Sequence, residues 1–203
     1  MDPSVLTPLS ARFYSPSAQV VAPKLLGHYL LRRTGDGWCG GVIVETEAYL
    51  ADDPASHGFK GRTARNGAMF GPAGRAYVYF IYGNHWCFNA VCHREGVAEA
   101  VLIRALEPVL GVDAMQGLRP VGKLRELTNG PAKLCAALGI DRRMDGAELL
   151  SVGSPVVVAR NPRRNRDISI SGPIVETTRI GLTRAADLKL RFYLAGSEFV
   201  SRR

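Results

Sequence analysis

The sequence contains no apolar run long enough to span a membrane, which takes about 20 consecutive residues. The first ten residues also lack the basic segment followed by a long apolar stretch that marks a secretory signal. These two absences predict a cytoplasmic protein with neither a signal peptide nor a transmembrane segment.

Closely spaced metal-binding residues are absent as well. The four cysteines, Cys39, Cys87, Cys92 and Cys135, form no Cys-x-x-Cys pair, and the four histidines are scattered along the chain. Structural zinc sites usually show such closely spaced ligands. The sequence therefore predicts reduced thiols, no metal site and no cofactor.

What is present is the composition of a globular protein. Of the 203 residues, 46% are hydrophobic and 22% are charged, which suits one domain with a sizeable core. We expect this domain to span residues 1–203, with a loose tail over residues 1–10. The formal net charge of +8 favours a polyanionic partner, with nucleic acid as the first candidate.

A strand end that carries carboxylates is the first informative feature. Residues 41–46 are rich in β-branched side chains and predict a strand, which two aspartates and a proline end a few residues later. Alternation along the strand places Glu45, Glu47 and Tyr49 on one face, where Glu47 and Tyr49 can share a cavity. A carboxylate beside apolar strand residues is a candidate general base. The alternative is an ordinary strand end with solvated glutamates.

A predicted β-hairpin rich in aromatic residues is the second feature. Two β-rich runs within residues 77–91 flank Gly83-Asn84, which marks the turn. Tyr82 would stand at the tip, where an aromatic side chain has no core to join and is suited to contact another molecule. Packing on a neighbouring loop is the alternative. Residues 54–75 predict a long loop, which in a compact domain is often functional and is otherwise a surface connection.

Basic side chains recur in the loops and near one helix start. Arg104 lies among aliphatic residues of a predicted strand and needs a carboxylate or polar partner. Residues 128–131 predict a helix start, where backbone N–H groups could hold a phosphate or be capped by a side chain or water. The arginine-rich residues 160–166 predict a solvated loop or a phosphate contact. The candidate contacts to a nucleic-acid backbone are Arg62, Arg65, Lys133, Arg163 and Arg164.

These motifs resemble those of the alkyladenine (3-methyladenine) DNA glycosylase family, and they occur in the family's order over most of the chain. They are Val-Glu-Thr-Glu-Ala-Tyr at 44–49, His57, Arg65-Asn66 with Met69-Phe70, Tyr-Val-Tyr-Phe-Ile-Tyr-Gly at 77–83, Asn89, Leu-Ile-Arg-Ala-Leu-Glu-Pro at 102–108, Asn-Gly-Pro-Ala-Lys-Leu-Cys at 129–135 and Leu-Arg-Phe-Tyr at 190–193.

The resemblance implies a fold and an activity. The fold is a single mixed α+β domain, with a curved antiparallel sheet flanked by helices and a hairpin that projects into the DNA minor groove. The activity is the flipping of alkylated or deaminated purines (3-methyladenine, 7-methylguanine, hypoxanthine or ethenoadenine) out of duplex DNA. Hydrolysis of the N-glycosidic bond by water then leaves an abasic site without strand cleavage. The implied partner is damaged double-stranded DNA, bound by a monomer without a membrane or a cofactor, and associated with the nucleoid if the source is bacterial.

The resemblance also implies the roles of the central residues. Glu47 would activate the attacking water, and Arg104 would contact that water and the DNA backbone. Tyr49 and His57 would form one wall of the base pocket and Tyr79 the other. Aromatic faces hold any base by stacking, which is worth roughly 1–3 kcal/mol per base.

Two further implied roles depend on the hairpin. Asn89 would reject a purine 2-amino group, and Tyr82 would take the place of the flipped nucleotide. A two-residue turn at Gly83-Asn84 would put Tyr79 and Asn89 on opposite faces, whereas the implied pocket needs them on one face. We therefore expect an odd turn, such as Gly83-Asn84-His85, or a bulge.

Two other classes of protein share part of this pattern. A nucleic-acid-binding module without chemistry would suit the basic charge and the aromatic strands, but it has no need for Glu47 and Arg104 on inward strand faces. A hydrolase of free nucleosides would leave the Tyr82 tip and the basic loops without a purpose.

Overall fold

An eight-stranded antiparallel β-sheet forms the centre of the protein in a computed structural model that describes residues 6–35 and 37–203. Its strands are β1 (Tyr29–Thr34), β2 (Gly37–Tyr49), β3 (Ala76–Ile81), β4 (His85–Cys92), β5 (Glu99–Leu110), β6 (Val156–Ala159), β7 (Ile174–Thr177) and β8 (Arg191–Leu194). The spatial order is β3-β4-β5-β2-β1-β6, and β8 joins β7 to β2. The expected mixed α+β fold with a curved antiparallel sheet is confirmed.

Short helices flank this sheet. In the described residues they are α1 (Ala11–Tyr14), α2 (Ala18–Leu25), α3 (Val112–Leu118), α4 (Pro131–Leu138) and α5 (Arg164–Ile170), with 3₁₀ turns at Gly67–Phe70, Leu124–Glu126 and Arg142–Met144. As predicted, α4 starts at a proline and ends before Gly139, whose φ of +61° suits a helix C-terminus. None of these helices combines the length and apolarity needed to cross a membrane.

The long strand β2 connects most of the sheet. Its first half pairs with β1, its second half pairs with β8, and its other edge pairs with β5 along most of its length. Register shifts interrupt the β2–β5 ladder at Gly40/Gly41 and around Glu45. A Cβ at Gly41 would lie 2.0 Å from the carbonyl oxygen of Glu107, so this approach requires glycine. Such bulges bend a strand and re-aim its side chains.

The main apolar core packs against one face of β2. Val21, Ala22 and Leu25 of α2 are fully buried there, and burying a valine or leucine side chain stabilises the fold by about 1.5–3 kcal/mol. The Thr46 hydroxyl donates a hydrogen bond to the Ala22 carbonyl at 3.0 Å. Because neighbouring strand residues point to opposite faces, this contact leaves Glu47 on the face away from α2.

The predicted loose tail is wrong where the structure describes it. Residues 1–5 lie outside the described residues. Leu9 is only 3% exposed and donates its N–H to the Val158 carbonyl at 2.9 Å, and the Thr7 carbonyl accepts the Arg160 N–H at 2.8 Å. Backbone hydrogen bonds to the edge strand β6 hold this segment in place.

Two other predicted segments need correction. The polar loop predicted over residues 160–166 becomes helical at Arg164. The Arg164 guanidinium Nε donates to the carbonyl of Leu26, directly after α2, at 2.7 Å and so holds the start of α5 against the end of α2. The sequence of residues 199–200 also favours a short strand, but these residues form none, and β8 pairs with β7 instead. β7 had no clear sequence signal because its side chains are half-buried or exposed.

A buried histidine joins α2 to the segment before α5. His28 is 8% exposed, and its Nδ1 accepts the backbone N–H of Asn161 at 3.2 Å. Burial, and then the charges of Arg164 and Arg160, lower the pKa of His28 to about 4. His28 is therefore neutral in the folded protein at pH 5, whereas in the unfolded chain it is mostly protonated.

This difference predicts a pH-dependent stability. Neutral His28 contributes fully to the unfolding free energy above pH ~6.5. This contribution is lost as the pH falls toward 4, because between these pH values only the unfolded chain takes up the proton. The loss is at most about 3 kcal/mol. In a His28→Asn variant the amide oxygen can accept the same bond without titrating, so the slope of unfolding free energy against pH should flatten. Urea unfolding at several pH values between 4 and 7 measures this slope. The control is the variant His85→Asn, which replaces an exposed histidine. An unchanged slope in His28→Asn would contradict the assignment.

Candidate active site

A cavity of about 340 Å³ opens beside the β3–β4 hairpin. It lies where the ends of four strands, the long loop before β3, the start of α4 and the segment before β8 meet. Its lining residues are Tyr49, Ala55, His57, Met69, Tyr77, Tyr79, Ile81, Tyr82, His85, Cys87, Asn89, Leu102, Arg104, Pro131, Ala132, Ile180, Gly181 and Leu182. Its size and mostly apolar, aromatic lining suit a small planar ligand.

Strand register explains why these side chains meet. Tyr77 pairs with Asn89, Asn89 pairs with Leu102, and Leu102 pairs with Glu47. Directly opposed residues share a face of a sheet, so a single row crosses β3, β4, β5 and β2. Positions two residues along each strand, such as Tyr79 and Arg104, extend the same face.

The hairpin turn has the expected odd length at a shifted position. Ile81 pairs with His85, which leaves Tyr82, Gly83 and Asn84 as the loop, one residue earlier than predicted. Tyr82 and Gly83 have φ values of +55° and +75°, the left-handed pair that a type I′ turn requires. The odd loop puts Tyr79 and Asn89 on one face, and Tyr82 stands at the tip with 81% of its surface exposed.

Glu47 is fully buried directly behind the cavity. Its Oε1 accepts the Ile180 N–H at 2.8 Å and lies 3.2 Å from Arg104 Nη1, and its Oε2 accepts the Tyr49 hydroxyl at 2.9 Å. Tyr49, Arg104 and Ile180 all line the cavity, whereas Glu47 itself does not. Its carboxylate is therefore separated from the cavity by its own hydrogen-bond partners.

Glu45 has a different environment two residues earlier. Its Oε1 accepts from Arg191 at 2.8 Å and from Arg104 at 3.3 Å, and its Oε2 accepts the Ser201 N–H at 2.7 Å. Of these partners only Arg104 lines the cavity. Glu45 is thus turned toward the C-terminal segment and holds it against β2.

Buried charges of both signs are balanced behind the cavity. Each has a side-chain exposure of 9% or less, and each is ion-paired. They are the carboxylates of Glu45, Glu47 and Asp53 and the guanidiniums of Arg104, Arg179 and Arg191. Desolvation opposes the charge on Arg104, but Glu47 and Glu45 raise its pKa overall, so Arg104 stays protonated.

Aromatic side chains form the cavity walls. The rings of His57 and Tyr79 are 4.4 Å apart at 71°, and His57 Nδ1 shares a 2.8 Å hydrogen bond with the Tyr77 hydroxyl. Desolvation, and then the charge of Arg65, lower the pKa of His57, so the ring is neutral at pH 7. Burial raises the pKa of Tyr79. A ring placed between His57 and Tyr79 would need two contacts of about 3.5 Å each, so these side chains must separate to enclose one.

One asparagine orders the loop that carries His57. The Asn66 side chain donates to the carbonyls of His57 at 2.8 Å and Gly61 at 3.0 Å, and it accepts the Thr63 N–H at 2.6 Å. Apart from one 3₁₀ turn, residues 54–75 are irregular, as predicted. On the opposite wall, Asn89 Nδ2 donates to the Tyr77 carbonyl at 3.0 Å, which fixes the amide in the cavity.

The predicted backbone-contact residues are scattered, and most already have protein partners. Arg62 is exposed, and Arg65 Nη2 donates to the Phe80 carbonyl at 2.7 Å. Lys133 Nζ donates to Asn129 Oδ1 at 2.8 Å. Arg163 is exposed, and Arg164 links α5 to α2 as described above. Contact of these residues with phosphate stays a prediction.

Sequence reasoning missed the residues that close the cavity from behind. Arg179 forms a buried ion pair with Asp53 across 126 positions, and its guanidinium carbon lies 4.7 Å from the centre of the Tyr49 ring. Asp53 was interpreted only as a strand breaker. Arg179 and Ile180 lie in a segment without periodicity, so no local pattern marked them.

Metal ligands are not clustered in the part of the chain that the structure describes. No three His, Cys, Asp or Glu side chains there come together as a potential metal-binding group. Cys39, Cys87, Cys92 and Cys135 are buried free thiols.

A comparison with protein families agrees with this architecture. The chain belongs to the methylpurine-DNA glycosylase family, whose model matches residues 12–198. A relative from Methanoculleus marisnigri is 50% identical over 195 residues, which are 96% of this chain and 99% of the relative. A relative from Carboxydothermus hydrogenoformans is 46% identical with the same coverage. One from Rhodopseudomonas palustris is 49% identical over 194 residues, 96% of this chain and 90% of the relative. All three carry the provisional name 3-methyladenine DNA glycosylase.

The two buried glutamates should differ in their tolerance of an amide. In Glu45→Gln the new NH₂ must face either a backbone N–H or two guanidiniums, so we expect a loss of about 3 kcal/mol of unfolding free energy. In Glu47→Gln the NH₂ can donate to the Tyr49 hydroxyl, which can reverse its role, so the loss should be smaller. Urea unfolding of both variants at pH 7 measures the difference. Equal losses would contradict the assigned hydrogen-bond directions.

Proposed function

We propose that this protein is a DNA repair glycosylase that hydrolyses the N-glycosidic bond of alkylated or deaminated purines in double-stranded DNA. The family membership and the names of the relatives support the glycosylase class. The observation that carries the proposal is the position of Glu47: every hydrogen-bond partner of this buried carboxylate lines an aromatic cavity next to an exposed hairpin tip.

Access to the base explains the exposed tip. An enzyme cannot reach a glycosidic bond inside a stacked duplex, so the nucleotide must be flipped out and its place filled. Tyr82 is the side chain suited to fill it, because it is 81% exposed at the end of a two-stranded ribbon and borders the cavity. The net charge of +8 favours binding of a monomer to the phosphate backbone, with the five basic residues above as candidates.

Base recognition would use stacking and one amide. Tyr49, Tyr79 and His57 offer aromatic surface to any purine, and a methylated cationic purine stacks more strongly on tyrosine. His57 is neutral and so does not repel a cationic base. The amide of Asn89, held by the Tyr77 carbonyl, would exclude a purine 2-amino group.

Cleavage would proceed by attack of water. The water oxygen forms a bond to the sugar C1′, and the C1′–N bond breaks with its electron pair leaving on the base. Glu47 takes the proton from the water, which would first have to displace one of the hydrogen-bond partners in front of the carboxylate. The negative charge of Glu47 also favours the positive charge that develops on the sugar. Arg104 lines the cavity and is in direct contact with Glu47, so its guanidinium would hold the attacking water at the cavity side of this pair.

Water is the proposed nucleophile because the part of the chain that the structure describes brings no lysine amine to the cavity. Hydrolysis by water leaves an abasic site, whereas an amine nucleophile would form a Schiff base and enable strand cleavage. We therefore propose a monofunctional enzyme without lyase activity.

Replacement of the carboxylate tests the catalytic role. Glu47→Gln should lower the single-turnover rate of base release by at least about 100-fold, because the amide cannot accept the proton, and it should still bind a lesion-containing duplex. The control is Glu107→Gln, a carboxylate on β5 outside this cavity, which should keep the wild-type rate. Near-normal rates in Glu47→Gln together with loss in Glu45→Gln would show that Glu45 is the base.

Replacement of the tip residue tests the flipping role. In Tyr82→Ala the extruded base can swing back into the stack, so the flipped population should drop by about ten- to 100-fold when the lesion pairs well. The loss should be smaller when the opposite base is mismatched. Tyr82→Phe keeps the ring and should remain close to wild type. Single-turnover rates on one lesion opposite different bases measure this, and an equal loss for stable and unstable pairs would remove Tyr82 from the role.

A further inference from the structure

A paired arginine lies directly behind one of the tyrosines that line the cavity. The Arg179 guanidinium carbon is 4.7 Å from the centre of the Tyr49 ring, and its side chain is fully buried. Tyr49 lines the cavity and Arg179 does not. Arg179 therefore covers the ring on the side away from the cavity.

Asp53 is the counter-ion of this arginine. Both of its carboxylate oxygens accept from the Arg179 guanidinium, Oδ1 at 3.0 Å from Nη2 and Oδ2 from Nη1. The other hydrogen-bond partners of Arg179 are neutral carbonyls, those of Ala48 at 3.0 Å and Ala185 at 3.4 Å. Asp53 is 2% exposed, so the pair is shielded from solvent and its charge is not screened by salt.

The charge behind Tyr49 matters for any base stacked in front of it. A guanidinium 4.7 Å behind the ring and a base about 3.5 Å in front of it are about 8 Å apart. Like charges at this distance repel in a partly buried site, and a cation on one face of a ring also weakens the attraction of its other face for a second cation. The Asp53 carboxylate cancels this effect.

We propose that Asp53 determines the tolerance of the cavity for positively charged bases, by neutralising Arg179 behind the stacking face of Tyr49. A purine alkylated at a ring nitrogen carries a positive charge before its glycosidic bond is cleaved, whereas hypoxanthine does not. Removal of the Asp53 charge should therefore discriminate against cationic lesions and spare neutral ones. This inference rests on the proposed glycosylase function.

A structural clamp is the competing explanation of the same contacts. Arg179 ties the segment with Ile180, whose N–H holds Glu47, to the end of β2. If the pair only positioned these groups, its loss would slow cleavage of every lesion by the same factor. The ratio of activities on a cationic and a neutral lesion therefore separates the two explanations.

The experiment compares 3-methyladenine, which is cationic in DNA, with hypoxanthine in one duplex sequence, and neither base carries a 2-amino group. The enzyme-concentration dependence of single-turnover base release gives the maximal rate and the half-saturating concentration, and their quotient is the efficiency. In Asp53→Asn, which leaves Arg179 charged, the efficiency ratio of 3-methyladenine to hypoxanthine should fall by roughly ten- to thirtyfold. If one lesion is not cleaved, the affinity of the protein for the duplex that contains it is measured by competition. The ratio of affinities for the two duplexes then takes the place of the efficiency ratio.

Two further variants keep the test valid if Asp53→Asn folds poorly. Arg179→Gln leaves a negative charge behind Tyr49 and should raise the ratio. The double variant Asp53→Asn/Arg179→Gln has no net charge there and should return the ratio to within about threefold of wild type. Asp141→Asn breaks the exposed ion pair with Arg143 and should leave the ratio unchanged.

The outcomes separate the inference from the function on which it rests. Opposite shifts of the ratio in the two single variants support the role of Asp53. An equal fold-loss on both lesions, or shifts in the same direction, would overturn it and leave the pair as a clamp. Absence of base release from both duplexes with the wild-type protein would refute the proposed function itself.

Discussion

Six buried charges behind the cavity are the constraint on which the site depends. Removing one partner from a buried ion pair typically costs about 3–5 kcal/mol, a large part of the stability of a domain of this size. The charges come from β2, the loop after it, β5, β8 and the segment before β8. The pairing of Glu45 and Glu47 with two arginines fixes β2, β5 and β8 relative to one another, and the Asp53–Arg179 pair fixes the loop after β2 to the segment before β8. The position of Glu47 and the back wall of the cavity follow from this pairing.

The buried back wall of the cavity and the exposed hairpin tip have different roles in the proposed function. Groups that act on developing charge are most effective when they are held in place before the reaction, and the bonds to Glu47 provide this. The Tyr82 turn lies outside this network and leaves its aromatic side chain 81% exposed, which suits the proposed insertion into DNA. The rings of His57 and Tyr79 are in contact, so these two side chains would have to separate for a base to bind between them as proposed.

Sequence patterns predicted the local features of the site and missed the long-range ones. Alternation along β2 placed Glu47 and Tyr49 on one face, because strand geometry alone determines it. The odd length of the hairpin turn followed from the need to place Tyr79 and Asn89 on one face. The predicted turn lay one residue too late in the sequence, because the turn residues alone do not determine the strand register. The Asp53–Arg179 pair joins positions 126 residues apart, and only the assembled sheet brings them together.

The measurement that tests the central claim most directly is product analysis with the wild-type protein. A duplex that contains one alkylated or deaminated purine should yield one equivalent of free base, and its strand should stay intact until the abasic site is cleaved by alkali. The matching free nucleoside should react far more slowly, because it makes no use of the Tyr82 tip or the basic surface. Binding of the lesion duplex without base release, or equally fast cleavage of the free nucleoside, would contradict the account.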